Sequence, residues 1–207
     1  MNKERLAKAD WVAAGLDALA RSGVAALKAD SLAKALNVSR GSFYWHFADV
    51  AAYHAAILSA WEAQATHDVI AQVESKGGGA FAKLHRLSHI VFSTDGALER
   101  QIRAWASQNE QAAKAQARVD VERIAYVRAL IEEAGAPNKT SEMRARFFYM
   151  ALIGQFATGR RYAFDSADLK DVIDLVVMAK GAETPKWPRK LGASPLSPVD
   201  AIRQKAS

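Results

Sequence analysis

Apolar residues recur at helical spacing along the chain, and no stretch alternates as a half-buried strand would. Leu6, Val12, Leu16 and Leu19 mark a first helix over about 6–22, with Gly23 as its stop. After the link Val24–Leu27, the spacing of Leu32 and Leu36 predicts a two-turn helix over about 29–36, with Asp30 as a candidate cap. Asn37 can take the left-handed conformation that a tight helix-to-helix turn requires, and Ser39 is placed to cap a third helix by accepting its orphan amide hydrogens. On that third helix Phe43 and Phe47 are four apart and face inward together. Arg40, Gly41, Ser42, Tyr44, Trp45 and His46 are left for the outside or the rim. Leu16, Leu19, Leu27, Leu32, Leu36, Val38, Phe43 and Phe47 supply a small shared core.

A long fourth helix is capped by Asp49 and runs through Tyr53, Ile57, Trp61, Val69 and Val73 to about Glu74. The glycines of 76–79 then end it, and a flexible joint is expected there. Leu84, Leu87 and Ile90 mark a fifth helix ending near Gly96. A sixth covers about 98–107, and a seventh about 111–134, stopped at Gly135-Ala136-Pro137. Two unusually apolar helices follow, over about 141–164 and 168–180. The expected fold is all-α, with about nine helices: a three-helix head at 1–48, a body at 49–180 whose first helix (49–74) connects the two, and an arm at 181–207. Four of the five prolines, Pro185, Pro188, Pro195 and Pro198, lie in that basic arm.

Half of the 207 residues are hydrophobic, enough for a full core. The absence of cysteine excludes disulfides, thiolate metal sites and a cysteine nucleophile. No run approaches the roughly 18 apolar residues of a membrane span, so the expectation is a soluble, cytoplasmic protein with no membrane partner. The net charge of +6 permits a polyanionic partner, but the first 49 residues carry seven Lys/Arg against five Asp/Glu, so the excess is not focused on the head. His85 and His89 have the i, i+4 spacing of metal ligands, but lack the intervening glutamate of a zinc-protease motif. Gly77-Gly78-Gly79 lacks the Lys-Ser/Thr of a phosphate-binding loop. No metal, cofactor or catalytic activity is expected.

Two helices joined by a tight turn, the second presenting small and polar residues, fit both an ordinary helical hairpin and a helix-turn-helix. The residues distinguish them: Leu32-Ala33 and Asn37-Val38-Ser39-Arg40-Gly41-Ser42-Phe43-Tyr44-Trp45-His46-Phe47 closely resemble the signature of tetracycline-repressor-type (TetR family) regulators. The resemblance is strong over the first 50 residues and architectural beyond them. It implies a homodimeric repressor whose head binds a palindromic operator in double-stranded DNA and whose body holds a small-molecule effector. The implied DNA-binding residues are Lys28, Ser39, Arg40, Gly41, Ser42, Tyr44, Trp45 and His46. Arg40, Gly41 and Ser42 would lie at the groove floor, Tyr44 and His46 toward the phosphates, and Trp45 against backbone or base methyls. Arg40 can meet guanine O6 and N7 bidentately, and Gly41 lets the backbones approach.

The chain departs from the family pattern at Lys28, Asp30 and Val50, the last standing where members commonly carry a phosphate-gripping lysine. These departures and the even charge of the head motivate the alternative of a helical small-molecule-binding or scaffold protein without specific DNA binding. The resemblance further implies that the last two helices form a four-helix bundle with a partner's, through Ala151, Gly154, Thr158, Leu169, Val172, Ile173 and Val176. It also implies an effector cavity, for which the body offers Trp61, His85, His89, Phe92, Arg103, Trp105, Tyr126, Phe148 and Gln155. Arg103 beside Trp105 would suit an anionic or aromatic ligand.

Overall fold

Trp11, which the spacing of the first helix does not single out, is the residue around which the amino-terminal core closes. It is fully buried and meets Phe43 edge-on with ring centroids 5.5 Å apart, and its carbonyl accepts a 2.8 Å hydrogen bond from the buried Tyr53 hydroxyl. The computed structural model describes residues 6–159 and 164–177, whose regular elements are all helical. The arm 181–207 and the expected helix ends at 160–163 and 178–180 lie outside the described residues.

In chain order the elements are α1 (Lys8–Ser22), a 3-10 turn (Val24–Ala26), α2 (Ala29–Ala35), α3 (Arg40–His46), α4 (Val50–Glu62), a π turn (Ala63–His67) and α5 (Asp68–Ser75). They continue with α6 (Ala80–Ser93), α7 (Ala97–Ala106), α8 (Glu110–Glu133), α9 (Asn138–Thr158) and α10 (Ser166–Val177). The backbone stays in the right-handed helical region through Glu62, Ala63, His67 and Asp68, so α4, the π turn and α5 form one continuous rod. Counted by rods, the described residues form nine helices, the all-α architecture expected.

Local chemistry explains most boundaries and corrects two. Asn37 does adopt a left-handed turn at φ 53°, and Asp49 Oδ1 accepts the Ala52 amide at 2.7 Å to start α4. Ser39 occupies the cap position of α3 in extended backbone, but its side chain makes no capping bond. Lys28, not Asp30, stands at the cap position of α2. Asp30 lies in the first turn, where its carboxylate pairs with Arg40 instead. Gly15 is required by close packing: a Cβ there would lie 1.9 Å from the Tyr53 hydroxyl and 2.5 Å from Ile57, so α1 and α4 could not approach as they do.

The head core does not stop at residue 48. It joins Trp11, Leu19, Leu32, Phe43 and Phe47 to Tyr53, Ile57 and Trp61 of α4, to Ile102 and Trp105 of α7, and to Ala112, Ala115 and Val119 of α8. His54 sits in this seam, its ring 5.0 Å from that of Trp105, and burial pushes its pKa below the ordinary histidine value, partly offset by a hydrogen bond to the backbone of Leu27. A second core fills the body between α5, α6, α8, α9 and α10, around Leu84, Leu87, Phe92, Ile131, Phe148, Leu152 and Phe156. The glycine turn at 76–79, expected as a flexible joint, is tied to α6 by Arg86, which donates to the carbonyls of Val73 and Gly77. Among the described residues no helix is long and apolar enough to cross a membrane.

Candidate DNA interface and effector cavity

Helix α3 is two turns long and has little intrinsic stability of its own; its burial holds it. Phe43 and Phe47 point into the core, and Phe43 packs against Trp11, Tyr53 and Phe47. That anchoring turns the other face outward. Arg40, Gly41, Tyr44 and Trp45 are exposed, Trp45 at 74% of its free surface, while Ser42 and His46 are half-buried. Ser39, Gly41, Ser42, Trp45 and His46 line one shallow hollow, and Lys28 is exposed at the start of α2. Arg40 is the organised cation of this face. Its guanidinium donates to the Tyr44 hydroxyl at 3.3 Å and lies 5.7 Å from the Tyr44 ring centre, and its Nε is 3.4 Å from the Asp30 carboxylate. The hydrogen bond to Tyr44, then the charge of Asp30, push the Arg40 pKa up. Because this cluster is open to solvent, its bonds can be exchanged for those of an incoming phosphate or base edge.

A cavity of about 240 Å³ opens in the body between the rod and α6 to α9. Of the residues expected around an effector, Trp61, Tyr126 and Phe148 line it. The other six do not. Trp105 is buried in the seam beside His54, and Arg103 lies one layer behind the wall. Phe92 is buried in the body core, its carbonyl accepting from Gln155 at 2.9 Å, while His85 is half-buried and His89 exposed on α6. Pairing Arg103 with Trp105 from their closeness in sequence fails because residues two apart on a helix point to different sides.

Most of the wall is apolar (Val69, Ile70, Leu87, Ile90, Val91, Val127, Leu152, Phe156); of its polar residues Gln64, Thr94 and Asp95 are exposed, and Glu99, Arg123, Tyr149 and Thr66 meet at one end. Arg123 there donates to Glu99 Oε2 at 3.2 Å, to Thr66 Oγ1 at 3.2 Å and to the Ala65 carbonyl at 3.1 Å, and stands 5.7 Å from the Trp61 ring centre. Behind them Arg103 bridges Glu99 Oε1 at 3.0 Å and Asp120 at 2.7 Å, and Tyr149 donates to Asp120 at 2.6 Å. Burial alone would push the Asp120 carboxyl up, but the hydrogen bonds from Arg103 and Tyr149 outweigh it and hold it below the usual carboxylate range. Burial first, with the bond to Asp120 in support, pushes the Tyr149 hydroxyl up, so it stays protonated and donates. Glu99 and Arg103 are four apart on α7 and read in sequence as an ordinary surface pair. Their burial depends on α8 and α9, which no local pattern reveals.

The residues expected at a subunit interface divide into two groups. Ala151, Gly154 and Thr158 are exposed on α9, in line with exposed Met143, Phe147 and Met150, and Val172 is half-buried. Leu169, Ile173 and Val176 are instead buried within the chain, where α10 lays its apolar stripe against the body; its exposed apolar residue is Leu175. The stripe on α9 follows helical spacing and is the larger unburied apolar surface of the two helices.

Residues 12–50 match the family model of bacterial regulatory proteins of the TetR family. No curated protein matches the chain. Among solved structures the chain is similar to the reduced form of Escherichia coli NemR, at 18% identity and a TM-score of 0.67, covering 82% of this chain and 95% of that one. It is also similar to a transcriptional regulator of Rhodococcus sp. Rha1, at 18% identity, TM-score 0.63 and coverage of 84% and 95%, and to Salmonella enterica GusR, at 19%, 0.61, 83% and 95%. These likenesses establish a shared fold over head and body alike. With that fold, and with the TetR-type regulatory match spanning most of α1, all of α2, the turn and α3, the chain is a DNA-binding transcriptional regulator whose residues 12–50 are of the TetR type.

Proposed function

We propose that the protein is a homodimeric, cytoplasmic repressor that binds a palindromic operator and is released when a small molecule enters the body cavity. DNA reading belongs to residues 1–48, and effector binding and dimerisation to 49–180. The observation that carries this reading is the single rod from Val50 to Ser75: its first turns are built into the head core, and its π turn forms a wall of the cavity. A ligand that reshapes Trp61, Thr66 or Glu99 acts on α4 and α7, and α7 packs directly on α1. Two α3 helices must enter successive major grooves about 34–36 Å apart, so a modest rotation of each head takes one out of register. The exposed stripe on α9 supplies the surface for the second copy, with the α9 face rather than the buried side of α10 making the contact.

The test is fluorescence anisotropy of the full chain on DNA from upstream of its own gene, beside light scattering. Salt-sensitive binding to one segment in preference to scrambled DNA, by a species of twice the 22.5 kDa chain mass, is the expected result. A monomer at micromolar concentration, or equal binding to both DNAs, overturns it.

A further inference from the structure

The cations at the polar end of the cavity are already matched, and this decides what the cavity can hold. Arg123 carries five N–H groups, and each has an acceptor: Nε the Thr66 hydroxyl, Nη1 Glu99 and Tyr149, Nη2 the Ala65 carbonyl and Glu99. The Tyr149 hydroxyl spends its hydrogen on Asp120 and accepts from both arginines. Two guanidiniums, Arg103 and Arg123, stand against two carboxylates, Glu99 and Asp120, so the cluster is neutral in sum. The remaining polar lining residues, Gln64, Thr94 and Asp95, are exposed, and Asp95 accepts the Ala97 amide at the start of α7.

From this arrangement, and resting on the reading of the cavity as the effector site, we infer that it takes a small uncharged molecule, a single ring with a short chain bearing one hydroxyl or carbonyl group. The apolar walls supply the affinity. A carboxylate would have to displace Glu99 or Tyr149 from Arg123, stranding a buried group, or lie unpaired against hydrocarbon. An ammonium would meet a Glu99 that two arginines already hold, and the other acid of the lining, Asp95, is exposed to water, where its attraction is weak. A neutral hydroxyl needs no such exchange: Thr66 accepts from Arg123 and keeps its own hydroxyl hydrogen to give, and Glu99 keeps lone pairs to accept. Size agrees, since about 240 Å³ is below the roughly 300–1,000 Å³ of drug-sized sites.

The experiment is calorimetric titration of the full, DNA-free protein with three congeners of one skeleton: 2-phenylethanol, phenylacetate and phenethylamine. The alcohol should bind, with each charged congener weaker by about tenfold or more. Equal or tighter binding of either charged congener, or binding of none, overturns the inference. Glu99→Gln, which leaves one arginine charge unmatched, should shift preference toward phenylacetate by about tenfold; an unchanged ranking in a folded variant overturns it, and if the variant does not fold the wild-type series decides. Leu152→Trp, which fills the cavity, should abolish binding of the alcohol, and retained binding places the ligand elsewhere and overturns it. Operator binding is measured separately without ligand, so a protein that fails to bind DNA refutes the proposed repressor and leaves the ligand preference standing.

Discussion

Two arginines of this chain each face a carboxylate at nearly the same distance, Arg40 and Asp30 at 3.4 Å on the head, Arg123 and Glu99 at 3.2 Å in the body. Their surroundings are opposite. The head pair is 61% and 70% exposed, the body pair 14% and 6%. In water the first attraction is weak and each partner can be replaced by solvent or a phosphate. In the cavity wall neither charge has an alternative, so the second pair holds helices together. Under the proposed function, the same two functional groups therefore give an exchangeable contact on the DNA face and a fixed one in the effector cavity.

The contrast breaks most visibly at Glu99. Replacing it with alanine leaves two buried guanidiniums short of a partner, and chemical denaturation should show a loss on the order of 3–5 kcal/mol; a loss no larger than a surface mutation causes would mean that the buried pair behaves like the exposed one. Arg40→Ala should leave the denaturation midpoint unchanged but lower operator affinity roughly ten- to a hundredfold, with a smaller effect on scrambled DNA, read by anisotropy.

His54, in the seam between the two regions, gives an intermediate case. Its folded pKa lies below the unfolded value, so the unfolded chain binds more protons in acid. The stability that depends on neutral His54 is fully present above about pH 6.5 and is lost as pH falls toward the depressed folded pKa. His54→Phe should flatten that part of the stability–pH curve, and an unaltered slope would remove His54 as its cause. The smallest effect belongs to Asp30→Asn. It removes a negative charge beside α3 and releases Arg40, so DNA binding should tighten a few-fold at low salt; weaker binding would show that Asp30 positions Arg40 rather than competing for it.

The sequence showed the head more fully than the body because the information there is local. Phe43 and Phe47 fall on one helical face, Asn37 marks the turn, and the motif between them is contiguous. Trp11 escaped because it lies off the leucine stripe of α1, yet Gly15, one turn later, admits Tyr53 against it. In the body Leu169, Ile173 and Val176 read equally well as interface or core, since periodicity gives a face but not what covers it. The polar end of the cavity was illegible for a stronger reason: Thr66, Glu99, Arg123 and Tyr149 come from four elements, and each alone looks like a surface residue.

The π turn at Ala63–His67 has a consequence for helical phase. Tyr53, Ile57 and Trp61 follow at steps of four, but the next buried residue, Thr66, comes at a step of five, and Val73 follows seven later. The turn holds one residue more than a regular helix would use. Since each residue of an α-helix turns the chain by about 100°, deleting one here would swing α5 round its axis and carry Thr66 away from Arg123. Head and cavity are thus set to one another by a single surplus residue, much as a key is cut to one offset. Removing Ala63, whose side chain lines neither site, would alter their mutual orientation through helical phase alone.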